Sequence, residues 1–220
     1  MDIERIAELL RLFLGPANSQ DPRISIELSR QQLEYISIYI DILLRWNERM
    51  NLTAVRDPDG IVRRHFGESL FAAQELLSAN DPNAIGHVID VGSGAGFPGL
   101  PLKIWEPGIQ LTLIESNHKK ATFLREVCRA LSLKDVEIFA GRAEDYSGSK
   151  GQLVTLRAVE KFEEILHVAG NLVAANGRIA LLIGEAQVKL VHRLLSHFLW
   201  SESIPLPYSK SRILIQGAKS

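Results

Sequence analysis

The stretch of sequence that decides the fold reads Val88-Ile89-Asp90-Val91-Gly92-Ser93-Gly94-Ala95-Gly96-Phe97-Pro98-Gly99. Four residues typical of a buried strand run into a loop with glycine at alternate positions, and a helical pattern follows. Because glycine lacks a Cβ, its backbone turns tightly and approaches a ligand closely. In a parallel α/β sheet, such a loop lies in the crevice at the carboxyl ends of the strands. The stretch therefore predicts a ligand site at that edge of a sheet.

The residues that follow this stretch predict the rest of the sheet. Short apolar runs alternate with helical patterns from residue 85 onward, which is typical of a mostly parallel sheet with helices on both faces. We expect an α/β, Rossmann-like fold with a mostly parallel seven-stranded sheet. The predicted strands are 87–91, 110–115, 136–140, 153–157 and 178–183, with two weaker candidates at 200–204 and 213–216. The predicted helices between them are 119–131, 162–174 and 187–198.

The N-terminal part of the chain has the spacing of helices instead. Apolar residues recur at helical intervals over residues 27–50. A second helix is expected over 58–77, with Asp57 as its N-cap and Pro58 as its first residue. Residues 78–83 are rich in turn-forming residues. We expect an N-terminal helical extension, residues 1–84, packed on a Rossmann-like domain, residues 85–220, as one structural unit.

Length and composition exclude several classes of protein. The chain has 220 residues, of which 46% are hydrophobic, and a net charge of −1, which excludes disordered and fibrous proteins. Its one cysteine, Cys128, excludes a disulfide framework and a cysteine-rich zinc site. The sequence has neither the apolar run of about 18 residues that a membrane span needs nor the basic start of a secretory signal. We expect a cytoplasmic protein with no membrane segment and no metal.

Two cofactors fit the glycine loop. The spacing Gly94-x-Gly96-x-x-Gly99 matches the dinucleotide fingerprint, so an NAD-dependent oxidoreductase is one alternative. Asp90, however, lies at the strand end, where it can meet a cationic ligand, and Pro98 lacks the N–H that a pyrophosphate needs at a helix start. Glu115 follows about 20 residues later, where an acid binds ribose hydroxyls. S-adenosylmethionine, a nucleoside that carries a cationic amino acid, suits this set better than NAD.

Three other features at this edge of the sheet each have two interpretations. Glu115 can instead cap the helix that starts near Asn117. Residues 141–145, after the third strand, form either a solvated turn or, in a methyltransferase-like sheet, the loop that lies against adenine. Arg157 ends the fourth strand and is either exposed to solvent or close to the reacting centre. Spacing alone leaves these alternatives open.

Three blocks of sequence resemble a known family. The first is Trp46-Asn47, Asn51-Leu52-Thr53 and Arg64-His65; the second runs from Asp90 to Leu102; the third is Glu115-Ser116 with Lys119, Lys120, Phe123 and Leu124. With Arg142, Glu144, Arg157 and Ala158, these blocks resemble the small-subunit ribosomal RNA methyltransferase G family, also called glucose-inhibited division protein B. The Phe97-Pro98-Gly99 segment inside the glycine block makes the resemblance specific.

The resemblance implies a class I methyltransferase that transfers a methyl group from S-adenosyl-L-methionine to N7 of a guanine in 16S rRNA, near the decoding centre. It implies that Arg157 is the catalytic residue. We further expect a monomer that acts on 16S rRNA, either as naked rRNA or within an assembled 30S subunit, with Arg64, His65 and Lys119 binding substrate. The cofactor-binding residues are then Asp90, Gly92, Gly94, Gly96, Phe97, Glu115, Ala143, Glu144 and Arg157.

The chain departs from the family pattern at three places. Leu156 stands where a serine often precedes the arginine, and Ile183 stands where many members have a lysine before glycine. Gly67-Glu68-Ser69 replaces the common Leu-Asp-Ser. Two alternatives therefore remain besides the oxidoreductase: a methyltransferase for a small molecule, and a non-catalytic RNA-binding member of the family.

The residues also limit the chemistry. Methyltransferases for exocyclic amines usually carry an Asn/Asp-Pro-Pro-aromatic stretch after the fourth strand, where this chain has Leu156-Arg157-Ala158-Val159. Pyrimidine C5 methylation needs a nucleophilic cysteine, and we expect Cys128 to be a buried, inert thiol. Guanine N7 has a free lone pair and no proton to lose, so positioning suffices. We therefore expect Arg157 to orient guanine or bind phosphate, and His65 to have a positioning or structural role. The basic candidates for RNA contact are Arg56, Arg63, Arg64, His65, Lys119, Lys120, Arg125 and Arg129.

Overall fold

A twisted eight-stranded sheet forms the centre of the protein in the computed structural model, which describes residues 1–15, 27–77, 85–159 and 161–219. The strand order is β3-β2-β1-β4-β5-β8-β6, with β7 also paired to β8. The strands β1 to β5 are parallel, and β8 is antiparallel to both β5 and β6. The strands are β1 His87–Val91, β2 Gln110–Ile114, β3 Val136–Phe139, β4 Gly151–Arg157, β5 Val173–Gly184, β6 Phe198–Trp200, β7 Ile204–Pro205 and β8 Arg212–Lys219.

The predicted α/β class and mostly parallel sheet are confirmed, with one correction at the edge. The strand predicted over 200–204 is two separate short strands, β6 and β7, which both pair with β8. Trp200 lies opposite Gly217, whereas Ile204 lies opposite Leu214, so residues 201–203 interrupt the ladder. Seven strands form the main order as expected, and the two-residue β7 is the eighth.

Eight α-helices surround the sheet in the described part of the chain. The pattern over 27–50 corresponds to a helix that begins after Ser29, whose hydroxyl accepts from the Gln32 N–H in a capping box. Asp57 caps the Gly60 N–H and Pro58 is the first helical residue, as predicted. The helices are α1 Ile3–Leu10, α2 Arg30–Met50, α3 Pro58–Ile61, α4 Glu68–Leu76, α5 Gly99–Trp105, α6 His118–Ala130, α7 Phe162–Leu172 and α8 Val188–Leu194.

The helix predicted as continuous over 58–77 has a wider turn in its middle. Residues Val62–Gly67 form a π-helix between α3 and α4. Apolar periodicity did not reveal it, because the apolar residues on either side remain buried. π-turns occur mostly within α-helices and often at functional sites. This one carries the Arg64-His65 pair.

Two apolar clusters cover the two faces of the sheet. The first combines the N-terminal helices with α5 and α6 and includes Ile36, Leu43, Leu70 and Phe123. The second lies under α7 and α8 and includes Leu166. The N-terminal helices thus share one core with the sheet. The turn-rich segment 78–83 and the predicted domain boundary at residue 84 lie outside the described residues, so the division into two parts stays a prediction.

The topology brings the ends of four strands to one edge. Strand β1 lies between β2 and β4, so β2 and β3 extend the sheet on one side of it and β4 and β5 extend the sheet on the other. Crevices at such a switch point are where open α/β sheets bind ligands. No helix in the described part of the chain is both long and apolar enough to cross a bilayer.

Candidate active site

The glycine loop after β1 uses left-handed backbone conformations that only glycine adopts without strain. Gly92, Gly94 and Gly96 have φ values of 68°, 57° and 85°. A Cβ at Gly92 would lie 2.7 Å from Cγ1 of Val159, whereas a Cβ at Gly94 would have no neighbour closer than 3.7 Å. Gly92 is therefore confined by the chain after β4, and Gly94 faces open space.

The other two glycines of the block face the protein interior. A Cβ at Gly96 would collide with the Tyr39 hydroxyl, which donates a hydrogen bond to the Ala95 carbonyl oxygen. A Cβ at Gly99 would lie 2.8 Å from the Asp90 carboxylate. These glycines allow close packing of α2 and β1 against the loop. The predicted contact of Gly96 with the cofactor stays a prediction.

Asp90 lies beneath the loop rather than on its surface. The residue is 1% exposed, and its carboxylate accepts hydrogen bonds from the Thr155 hydroxyl at 2.7 Å and the Gly99 N–H at 3.3 Å. These bonds join β1 to β4 and to the start of α5. Burial raises the pKa of Asp90 to about 6, although the bonds from Thr155 and Gly99 oppose that rise. Its predicted role as a direct cofactor ligand stays a prediction.

Glu115 connects the ends of β1 and β2. Its carboxylate accepts from the Gly94 N–H at 2.8 Å and from the Asn117 N–H at 2.7 Å. Asn117 is the N-cap of α6. Both sequence interpretations therefore meet in one side chain, which caps the turn before α6 and also fixes the glycine loop. Because each carboxylate oxygen has two lone pairs, the same group can still accept from ribose hydroxyls.

A cleft of about 340 Å³ opens at this edge of the sheet. Gly92, Ala143 and Glu144 line it, so three of the predicted cofactor-binding residues come together there. Glu144 is paired with Arg142 at 3.3 Å, and its pKa is lowered mainly by a backbone hydrogen bond and then by this pairing. The full lining is Gly92, Ile114, Ser116, Gly141, Arg142, Ala143, Glu144, Lys161, Glu164 and Ile165.

Phe97 is packed among aromatic rings and is absent from this lining. Its ring stacks on Tyr39, with centroids 5.4 Å apart, and on His65, with centroids 4.9 Å apart. Phe66 meets it edge-on at 5.1 Å. Phe97 thus joins the glycine block to the N-terminal helices. Its predicted contact with the methionine part of the cofactor stays a prediction.

His65 is held as a neutral imidazole. Its Nε2 lies 2.6 Å from the Thr53 hydroxyl, and Thr53 exchanges backbone hydrogen bonds with the Asn47 amide at 2.9 and 3.0 Å. Burial, together with the charges of Arg157, Arg64 and Arg212, lowers the pKa of His65 to about 3. The first family block therefore forms one connected unit. A positioning role for His65 agrees with this geometry.

Arg157 is fixed by four hydrogen bonds. It donates to the carbonyls of Arg64 and His65 at 2.6 and 3.5 Å and to the Ser69 hydroxyl at 3.2 Å. It also pairs with the Glu68 carboxylate at 2.9 Å. Two of its acceptors are carbonyls of the π-helix, so Arg157 stabilises the wide turn. Burial is the main cause that lowers its pKa, and the charge of Glu68 opposes that effect.

Glu68 pairs with a second arginine that sequence reasoning did not single out. Its carboxylate, 2% exposed, also accepts from Arg212 at the start of β8. Burial raises the pKa of Glu68 even though Arg157 and Arg212 oppose the shift. Glu68 stands at the place of the aspartate in the family pattern, which was a signal for its importance. Arg212 is the first residue of β8, and no sequence motif surrounds it.

The remaining predicted residues lie at the surface or away from the cleft. Arg64 and Lys119 are exposed. Cys128 is partly buried rather than fully buried, and desolvation raises its pKa to about 11, which suits an inert thiol. Within the described ranges, no group of three or more His, Cys, Asp or Glu side chains is arranged to hold a metal ion.

Comparison with known families agrees with this geometry. The model of the GidB family, described as rRNA small subunit methyltransferase G, matches residues 32–210. The chain belongs to this rRNA small subunit methyltransferase G family. Relatives of that name include one from Chloroflexus aggregans, 36% identical over 202 residues that cover 86% of this chain and 83% of the relative. Another, from Xylella fastidiosa strain M23, is 39% identical over 182 residues, or 77% and 82% of the two chains.

Solved structures identify the fold of this family member. A SAM-dependent methyltransferase from Aquifex aeolicus superposes with a TM-score of 0.58 at 15% identity and covers 74% of this chain and 94% of that one. A ribosomal protein L11 methylase from Lactobacillus delbrueckii subsp. bulgaricus gives 0.58 at 12%, over 71% and 79%. The expected family, class I fold and S-adenosyl-L-methionine cofactor are confirmed.

The cleft fits this cofactor chemically. Ile114, Ile165 and the small Ala143 provide an apolar place for a flat base, and Glu144 provides an acceptor beside it. The open space over Gly94 lets a ligand approach the backbone. The volume lies within the range of small-molecule pockets, roughly 300–1,000 Å³.

Proposed function

We propose that this protein transfers a methyl group from S-adenosyl-L-methionine to N7 of a guanine in 16S rRNA. The observation that carries the proposal is a cofactor-sized cleft at the switch point, in a chain of this family whose glycine block packs on a neutral His65. Bound S-adenosyl-L-methionine supplies an electrophilic methyl group on a sulfonium.

The titratable side chains His65 and Glu144 favour a reaction without a general base. His65 stays unprotonated at neutral pH because its pKa is about 3, but its ring nitrogen is engaged with Thr53. Glu144 is paired with Arg142 and its pKa is lowered, so it is a weak base. Guanine N7 carries a free lone pair and needs no proton removed. Positioning alone can supply on the order of 7–11 kcal/mol of barrier reduction.

The chain's own residues would position both reactants. Glu115 holds the Gly94 N–H, and with it the loop that approaches the cofactor. Asp90 holds the start of α5 and the end of β4 in register from below. Arg157 holds the π-helix, in which the exposed Arg64 lies. Arg64, His65 and Lys119 are the proposed substrate side, where the charges of Arg64 and Lys119 meet RNA phosphates.

The physical form of the substrate also belongs to the proposal. A guanine must leave its stack for N7 to meet the methyl group, and loops of folded RNA offer such bases. We place the target in the decoding-region loop of an assembled 30S subunit. A ribosomal substrate puts the protein in the cytoplasm, where it acts as a monomer.

The test is methyl transfer from labelled S-adenosyl-L-methionine to 30S subunits that lack their native N7-methylguanine. Chemical cleavage at N7-methylguanine then maps the modified base. One labelled guanine in the decoding-region loop is the expected result, and fully methylated 30S subunits are the matched control that should accept no label. Label on another atom or only on a small molecule would overturn the proposal. Calorimetry with S-adenosyl-L-methionine and NAD separates the methyltransferase from the oxidoreductase.

A further inference from the structure

The loop between β7 and β8, residues 206–211, is fixed beside the arginine pair. Leu206 is buried, and its N–H donates to the Arg212 carbonyl at 3.0 Å. The Ser209 hydroxyl accepts from the Arg212 N–H at 3.0 Å, and the Ser211 carbonyl accepts from the Glu185 N–H at 2.8 Å. The loop is therefore closed at its base and held to the end of β5. These hydrogen bonds fix the backbone from which the side chains of the loop extend.

Arg212 differs from Arg157 in what it leaves available. The side chain of Arg157 is 9% exposed and donates four hydrogen bonds to the protein, whereas that of Arg212 is 28% exposed. Among the described residues, Glu68 is the hydrogen-bond partner of the Arg212 guanidinium. Arg212 is thus the guanidinium of this pair that can reach a ligand.

The charges around Glu68 leave a positive excess. One carboxylate faces two guanidiniums, and the charge of Arg64 acts on the same groups. Asp90, another acid that acts on Arg157, is buried and its pKa is raised to about 6. A partly exposed guanidinium in such a cluster suits an anion with several acceptor oxygens, because the planar fork matches phosphate geometry.

Tyr208 adds an aromatic surface to the same loop. Its side chain is among the exposed large hydrophobic groups, 72% accessible, and its ring lies 5.4 Å from that of Phe13. Phe13 in turn fits against Gly67 of the π-helix, where a Cβ would lie 2.7 Å from the phenyl ring. Tyr208 is therefore supported on one side and open on the other. Unpaired RNA bases stack on aromatic rings of this kind.

We propose that the β7–β8 loop and the first residue of β8 form an RNA-contacting element, in which Arg212 binds a backbone phosphate and Tyr208 stacks on an unpaired base. The inference rests on the proposed function, because it takes RNA as the substrate. It adds a contact at the end of the chain, where Arg212 follows the segment matched by the family model, residues 32–210. It also separates two roles: Arg157 is a positioning residue, and Arg212 contacts substrate.

The test measures binding to 30S subunits lacking N7-methylguanine across a range of salt concentrations. For Arg212→Gln we expect about tenfold weaker binding and a salt slope, log K against log salt, reduced by about one. Arg212→Lys should keep the slope, because it keeps the charge. Tyr208→Ala should weaken binding by about tenfold with the slope unchanged, and Tyr208→Phe should bind as the wild type does. Arg193→Gln, an exposed arginine on α8, is the matched control.

Two further measurements exclude a merely structural role. Affinity for S-adenosyl-L-methionine and the midpoint of thermal unfolding should be unchanged in Tyr208→Ala and in Arg212→Lys. A wild-type salt slope and affinity in Arg212→Gln, or binding losses that follow unfolding alone, would overturn the inference. If the wild type methylates 30S subunits while both loop variants bind normally, the loop inference fails alone. If the wild type neither binds nor methylates them, the proposed function fails first.

Discussion

Replacing Gly92 by alanine tests the glycine loop most directly. The residue has φ 68°, where a Cβ costs roughly 1–2 kcal/mol. The new Cβ would also lie 2.7 Å from Val159 Cγ1, about 0.7 Å inside the 3.4 Å at which ordinary contact begins. Overpacking of this kind costs typically 1–3 kcal/mol. We expect Gly92→Ala to lower the free energy of unfolding by about 2–5 kcal/mol.

The structure provides a matched control and a rescue for this variant. Gly94→Ala has the same kind of backbone strain, with φ 57°, but its Cβ would have 3.7 Å of room. Its loss should stay at about 1–2 kcal/mol. Val159→Ala removes the methyl group with which the new Cβ collides. Adding Val159→Ala to Gly92→Ala should therefore recover the difference in unfolding free energy between Gly92→Ala and Gly94→Ala.

Urea denaturation gives the three free energies, and calorimetry gives the affinity for S-adenosyl-L-methionine. We expect Gly92→Ala to weaken cofactor binding at least tenfold, because the shifted loop lines the cleft. Equal losses for Gly92→Ala and Gly94→Ala, or no recovery in the double variant, would refute the clash with Val159. Normal cofactor affinity in Gly92→Ala would refute the placement of the cofactor beside this loop.

Three further predictions follow from the buried charges. The pKa of Asp90 is raised to about 6. Its protonated carboxyl therefore stabilises the fold by about 3 kcal/mol below about pH 4, and this stabilisation is lost as the pH rises through 6. Asp90→Asn should remove this pH dependence from denaturation curves, and an unchanged profile would contradict the prediction. Because the pKa of His65 is about 3, the single-turnover rate of methyl transfer should show no change near pH 6.5 that depends on this residue. A fall in rate below pH 6.5 that His65→Gln abolishes would instead make His65 a general base. Arg157→Ala removes one partner of the buried Glu68 carboxylate and should lower the free energy of unfolding, measured by denaturation, by about 3–5 kcal/mol. The same variant should lower turnover more than it lowers cofactor affinity. A larger loss of cofactor affinity than of turnover would make Arg157 a cofactor-binding residue.

Local sequence patterns predicted the sheet edge well because they report burial along one segment. The end of β1 at Val91, the cap at Asp57 and the end of β4 at Arg157 each follow from apolar runs and neighbouring polar residues. The strand predicted over 200–204 failed because an interruption at 201–203 depends on pairing with β8, which no local pattern encodes.

Partners between distant segments were less predictable for the same reason. Glu68 and Arg212 are 144 positions apart, and nothing near either residue indicates that they pair. Phe97 was expected beside the cofactor, and its packing on Tyr39 and His65 depends on how α2 meets the glycine loop. The family resemblance did mark Asn47, Thr53 and His65 as a group, and they are in contact, but it did not say through which atoms.

The π-helix at Val62–Gly67 makes this region sensitive to chain length rather than to residue type. A π-turn holds one more residue than the α-turn it replaces, so loss of any one residue between 62 and 67 would let α3 and α4 join as a regular helix. Because the regular turn would span the same part of the helix with one residue fewer, α3 and α4 would keep their positions relative to each other. The apolar contacts of α4 with the core would survive, whereas the wide turn would be lost, and with it the positions of the Arg64 and His65 carbonyls that accept from Arg157. A single-codon deletion here would leave a folded protein in which Arg157 has lost two of its four acceptors.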